Sequence, residues 1–203
     1  MSETAARFEF RAFARNFGIV EDRLRAWADV DRIRESDEIY LVSPACTRHN
    51  IKYRGGLLDI KVLVAERDGL QQWTPHAKVS FPLARDWLAR ELAPPLGLPV
   101  GPLPERIGSA KTLVEQLVYP HPEVLAVRVF KRRFAFSLEG CLCELAEVEF
   151  NSAALATACI ESTDAQAVAT LRTRLGLDDY PNTSYLTALR QLTGLDPIPL
   201  PWD

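Results

Sequence analysis

From Arg7 to Phe13 the chain reads RFEFRAF, with apolar and charged residues alternating almost without a break. Side chains two apart in an extended chain share a face, so Phe8 and Phe10 point one way and Arg7, Glu9 and Arg11 the other. The spacing predicts a half-buried strand with a stripe of alternating charge on its second face. Val20 to Val30 changes to a helical period, placing Val20, Leu24, Trp27 and Ala28 together. Strand patterns follow in EIYLVS (Glu38 to Ser43), NIKYR (Asn50 to Arg54) and LLDIKVLV (Leu57 to Val64), with Gly55-Gly56 as a hairpin turn between the last two. HAKVSFPL (His76 to Leu83) reads as another strand, and a helix is predicted from about Ala84 to Leu92.

The texture changes at APPLGLPVGPLPE, Ala93 to Glu105, which holds five of the 14 prolines and two glycines and reads as a linker or long surface loop. A helix capped by Ser109 is predicted as far as Val118. Three strand runs follow, at Val124 to Gly140, Cys141 to Phe150 and Ala154 to Ser162. A helix from Asp164 to Leu175 ends at Gly176, and a last one covers about Ser184 to Leu192. Eight or nine strands in antiparallel-looking succession, with helices only between and after them, predict an α+β domain whose sheet curls, open or closed into a barrel.

At 203 residues with 47% hydrophobic positions, the chain is long enough for one sizeable core, and a single domain over 1–203 is expected. No apolar run approaches the ~18 residues of a membrane span. MSETAARFEF has no basic and then apolar leader pattern, so a cytoplasmic location without membrane association is expected. Cys46, Cys141, Cys143 and Cys159 do not form a disulfide or zinc spacing. A net charge of -3 gives no general attraction for nucleic acid, so any polyanion must be held by a local concentration of charge. P-loop, dinucleotide-binding and serine-hydrolase motifs are absent. His76 is the one histidine on a charged strand face and reads as a surface or edge residue; the closing PIPLPWD reads as a tail.

That concentration of charge lies on the strands. Lys52 and Arg54 share a face, as do Asp59 and Lys61, then His76, Lys78 and Ser80, then Lys131 and Arg133, with Arg128 and Arg132 opposite them. Carboxylates recur at Glu9, Glu38, Glu144, Glu147 or Glu149, and Glu161. On an ordinary sheet these faces look out to water. Turned inward across a barrel, they form a hydrated tunnel, in which buried charges must pair with one another, with metal or with a charged ligand. A basic lining with a few carboxylates suits a polyphosphate held with a divalent cation.

The order E-x-R, N-x-K-x-R, L-D-I-K, then K-R-R, I-E-S, L-G-L and N-T-S-Y resembles the CYTH superfamily of triphosphate tunnel enzymes from Phe8 to Leu192. The resemblance implies an eight-stranded antiparallel β-barrel with helices outside, built from two pseudo-symmetric halves joined near 93–108. It also implies action on triphosphates with Mg²⁺ or Mn²⁺. Against the family's E-x-E-x-K strand, Glu9 matches the second Glu and Arg11 the Lys, while Arg7 stands in place of the first Glu. Lys52, Arg54, Lys61, Lys131 and Arg133 match phosphate-binding positions, and Lys78 joins that set from its strand face. Glu161 matches the last Glu of an E-x-E pair whose first member is replaced by Cys159. The implied roles are Glu9, Arg11 and Lys61 in catalysis and Glu9 and Glu161 at the metal; Glu38, Glu144 and Glu149 are candidates to substitute for the absent carboxylates, and Glu144 is taken as the third metal ligand. The expected function is a divergent phosphohydrolase for a small polyphosphate-containing molecule, and the alternative is a non-catalytic module that binds a phosphorylated ligand or nucleotide.

Overall fold

The computed structural model describes residues 6–196; the PIPLPWD tail lies outside them. Eight strands close into an antiparallel barrel: β1 (Arg7–Ala14), β2 (Arg32–Val42), β3 (His49–Arg54), β4 (Leu57–Arg67), β5 (Leu70–Ser80), β8 (Leu125–Leu138), β9 (Cys141–Phe150) and β10 (Ala153–Ser162). Their order around the barrel is β1-β10-β9-β8-β2-β3-β4-β5, and β6 (Leu83–Ala84) pairs with β7 (Arg106–Ile107) in a separate two-stranded sheet. No described helix is long and apolar enough to cross a membrane.

The described residues fall into two compact units. The first comprises 6–37, Leu63–Thr74 and Val129–Ser184. Its core lies between one face of the sheet and two helices, α1 (Ile19–Trp27) and α5 (Ala165–Leu175): Phe10, Ala12, Leu70, Phe136, Leu145 and Ile160 pack with Val20, Leu24, Val168, Leu171 and Leu175. The alternation of RFEFRAF thus puts Phe10 inside this core and leaves the charged stripe on the face turned away from the helices. Asp164 caps α5 by accepting from the N–H groups of Gln166 and Ala167, and left-handed Gly176 ends it, as the sequence predicts. Asn182 accepts from the Arg11 N–H and donates to the carbonyls of Glu9 and Gly69, tying β1 in place.

The second unit comprises Glu38–Val62, Pro75–Arg128 and 185–196. The β3–β4 hairpin turns at Gly55 and Gly56, both at positive φ (56° and 84°), a conformation costly for residues with a Cβ. Two sequence expectations change here. The strand expected at His76 to Leu83 is the later part of β5, which begins at Leu70 and stops at Ser80. The segment from Ala93 is not loop throughout: α2 (Arg85–Trp87) runs into a π-helical turn at Leu88–Leu92 and on into α3 (Ala93–Leu96). Pro94 and Pro95 lie in the first turn of α3, and left-handed Gly97 closes it. Ser109 caps α4 (Ala110–Leu113), which continues as a π-helical turn to Val118. The final helix α6 (Tyr185–Leu192) is clasped by buried Arg190, whose Nη1 donates to the carbonyls of Ser43, Pro44 and Cys46 while Asp196 holds its Nε and Nη2.

Candidate functional site

In the first unit the strand register places the charged residues on one face. Glu9 lies opposite Glu161 and Arg11 opposite Cys159; Cys159 in turn lies opposite Glu144, and Ala146 opposite Arg133. Directly paired residues of antiparallel strands share a face. Arg7, Glu9, Arg11, Lys131, Arg133, Glu144, Cys159 and Glu161 are therefore presented together, on the face opposite the helices. Glu147 and Glu149 fall on the other face and are exposed.

Arg11 is the hub of this face. Only 5% exposed, it donates from Nε to Glu9 Oε1 at 3.0 Å and from Nη1 to Glu144 Oε1 at 3.2 Å and Thr157 Oγ1 at 3.3 Å. Arg7 Nη1 stands 3.9 Å from Glu161 Oε2. The alternating stripe at the start of the chain is thus a set of cations placed against carboxylates from β9, β10 and β1 itself. Lys131 is buried, and Arg133 donates to Ser36 Oγ at 3.3 Å. A cavity of about 470 Å³ adjoins Glu144, Cys159 and Glu161 and extends to Asp31 and Arg32.

Glu9, Cys159 and Glu161 each offer a ligand atom, all within 4.8 Å of one another, the one such group among the described residues. Glu144, expected as a metal ligand, lies outside it. The Cys159 Sγ donates to Glu161 Oε1 at 3.8 Å, and burial raises its pKa well above the ordinary thiol range, against the pull of Arg11. The thiol therefore stays protonated unless a metal displaces the proton. The two carboxylates are the hard oxygen donors that suit Mg²⁺ or Mn²⁺, so the group fits a divalent cation through Glu9 and Glu161. The sequence reading registered Cys159 only as a missing Glu; its inclusion in the donor group depends on the β1–β10 register.

The second unit carries another charged face. Glu38 pairs in register with Arg54, Tyr40 with Lys52, Lys52 with Asp59 and Asn50 with Lys61. Glu38 is fully buried, accepting from Tyr40 Oη at 2.9 Å and from Arg54 Nη1 at 3.3 Å, with Lys52 Nζ at 3.4 Å. Arg54 Nη2 also reaches Asp59 Oδ2 at 3.7 Å. Burial lowers the Lys52 pKa from 10.5 to about 8, with Glu38 opposing the shift and Arg54 and Lys61 adding to it. Lys61 is half-buried on the same face, whereas Lys78 and His76 are exposed on β5, His76 against Glu91 at 2.7 Å. The role of Tyr40 and the full burial of Glu38 were missed from sequence, since an E-x-Y pattern on a strand carries no distinguishing signal.

Comparison with solved structures locates this architecture among known folds. A conserved hypothetical protein of Pyrococcus furiosus matches with a TM-score of 0.51 at 16% identity, over 88% of this chain and 98% of the other. HpAC1 of Hippeastrum, named for an adenylyl cyclase and described by a dominant triphosphatase activity, matches with a TM-score of 0.51 at 13% identity, over 97% and 99%. A protein of Bacillus halodurans named for an adenylate cyclase matches with a TM-score of 0.50 at 9% identity, over 91% and 98%. The likeness to these proteins extends over the closed eight-stranded antiparallel barrel of this chain. No family model matches its sequence, and no curated protein matches it. At these identities the likeness is one of fold, and the chain must be read for function through its own residues.

Proposed function

We propose that this CYTH-type chain is a divergent phosphohydrolase that acts on a triphosphate or related polyphosphate with a divalent cation, Mg²⁺ or Mn²⁺. The observation that carries the reading is the charged face of the first unit, where Arg11, Lys131 and Arg133 share one side of the sheet with the Glu9–Cys159–Glu161 donor group. The triphosphatase activity named for HpAC1, a protein of like fold, agrees with it.

On this reading Glu9 and Glu161 hold the cation, which when bound neutralises phosphate charge and acidifies a water. Arg11, held by Glu9, Glu144 and Thr157, sets its positive charge on the face where the phosphoryl oxygens would lie. Lys131 and Arg133 balance charge on the same oxygens, and Lys52, Arg54 and Lys61 form a second cationic set on their own unit's face. Lys78, exposed on β5, belongs to an approach path rather than to a buried subsite. A second reading, a phosphate-binding module without turnover, is favoured by one observation: Arg7 lies beside Glu161 and opposes a metal there.

The test is phosphate release from tripolyphosphate, ATP and thiamine triphosphate in Mg²⁺, Mn²⁺ or EDTA, for wild type, Glu161→Gln and Lys61→Ala. Metal-dependent turnover lost in both variants supports the hydrolase. Binding without turnover that disappears in Lys61→Ala supports the module, and neither binding nor turnover refutes both.

A further inference from the structure

The second unit's charged face contains a carboxylate that no metal or catalytic role accounts for. Glu38 has no exposed surface, yet it lies on the same face as Lys52, Arg54, Asp59 and Lys61, a local set of three cations and two carboxylates. Burying a carboxylate costs several kcal/mol unless its lone pairs are filled. Here one oxygen takes Arg54 Nη1 at 3.3 Å, and the other takes the Tyr40 hydroxyl at 2.9 Å with Lys52 Nζ at 3.4 Å. Tyr40 is itself stacked on Tyr185 at 5.7 Å, and its ring lies 5.6 Å beneath the Lys52 ammonium. A lysine and an arginine two positions apart on one strand repel each other, and a carboxylate bridging both fixes their spacing. Each cation has more donors than Glu38 uses, so both retain N–H groups for an anion.

We propose that Glu38 is a positioning residue: it bridges Lys52 and Arg54 into a two-cation cradle for adjacent phosphate groups. The inference rests on the polyphosphate reading of this face. It deepens that reading by assigning the anion's anchoring to a preassembled Lys–Glu–Arg unit rather than to independent cations.

The groups facing Lys52 are Glu38 and Tyr40 from β2, Arg54 from β3, and Asp59 and Lys61 from β4. Removing the Glu38 charge leaves the ammonium buried beside two cations with Asp59 alone to offset them, so Lys52 gives up its proton at lower pH. In Glu38→Gln, Lys52 therefore loses its charge at lower pH than in the wild type, where its pKa is about 8, and the carboxylate bridge is absent throughout.

The experiment is calorimetric titration of tripolyphosphate into wild type, Glu38→Gln and Tyr40→Phe from pH 6 to pH 8, with and without Mn²⁺. The ratio of wild-type to Glu38→Gln affinity is expected to grow about tenfold across that range. Tyr40→Phe, which loses one anchor of Glu38 but keeps the ring, should move the same way by less; it preserves the test should Glu38→Gln fail to fold. Parallel pH profiles, with Glu38→Gln tighter throughout, would show Glu38 to be an opposing charge only and overturn the proposal while the phosphate reading stands. Absence of wild-type binding at every pH would remove the phosphate reading and the cradle together.

Discussion

Replacing Arg11 with methionine tests how the charged face of the first unit is held together. The side chain is 5% exposed and serves Glu9, Glu144 and Thr157 at 3.0, 3.2 and 3.3 Å. Removing one partner from a buried ion pair costs roughly 3–5 kcal/mol, because the other charge stays behind in a poorly solvated place. Glu144 keeps 25% of its side chain in water, and methionine restores much of the lost stem packing, so the lower end, about 3 kcal/mol, is expected. For a chain of this length that is a fall in Tm of roughly 6–12 °C, measured by circular dichroism melting at pH 7. The companion variant Glu144→Gln sharpens the test through its sign. In the wild type it weakens a charge-assisted bond and lowers Tm. In the Arg11→Met background it removes a carboxylate that gathers with Glu9 and Glu161 around Cys159, and it should raise Tm. A fall under about 3 °C for Arg11→Met, or the same sign for Glu144→Gln in both backgrounds, would refute the account of Arg11 as hub.

Two further outcomes follow from burial. Lys52 has its folded pKa lowered to about 8 from 10.5, so between those values the unfolded chain binds the proton more strongly and the group's contribution to stability rises with pH. Urea unfolding of wild type against Lys52→Met should show the wild type gaining about 3 kcal/mol on the variant between pH 7 and 10.5, and a flat difference would refute the shift. Burial also raises the thiol pKa values, to about 11 for Cys46 and about 12 for Cys143, upward for Cys141 and well upward for Cys159. A disulfide reagent at pH 8 should therefore label almost no thiol in the native protein and all four after unfolding; fast labelling of Cys159 in the native state would contradict its burial.

Much of the fold is visible in the alternation of the chain. RFEFRAF, NIKYR and CLCELAEVEF are strands within a residue of where the period-two pattern puts them, because each has one apolar face to bury. Asp164 with Gly176, and Gly55 with Gly56, mark their helix ends and hairpin through local backbone chemistry that needs no distant partner. The extension of β2 back to Arg32 and of β5 back to Leu70 was not legible, since Arg32 to Asp37 are mostly exposed and strand pairing alone extends them. The helical turn at Ala93–Leu96 was hidden behind its prolines, which mark a helix start as readily as a break.

Local sequence therefore determined which residues share a strand face, and with that the pairing of Lys52 with Arg54 and of Lys131 with Arg133. Tertiary structure decided which carboxylate meets which cation: Glu38 with Lys52 and Arg54, Glu144 with Arg11, Arg7 with Glu161, and Cys159 inside the donor group. The physical reason is register. Alternation is a property of one strand, while the partner across a ladder depends on how two segments, 148 residues apart in the chain for Arg11 and Cys159, slide into alignment when their apolar faces are buried.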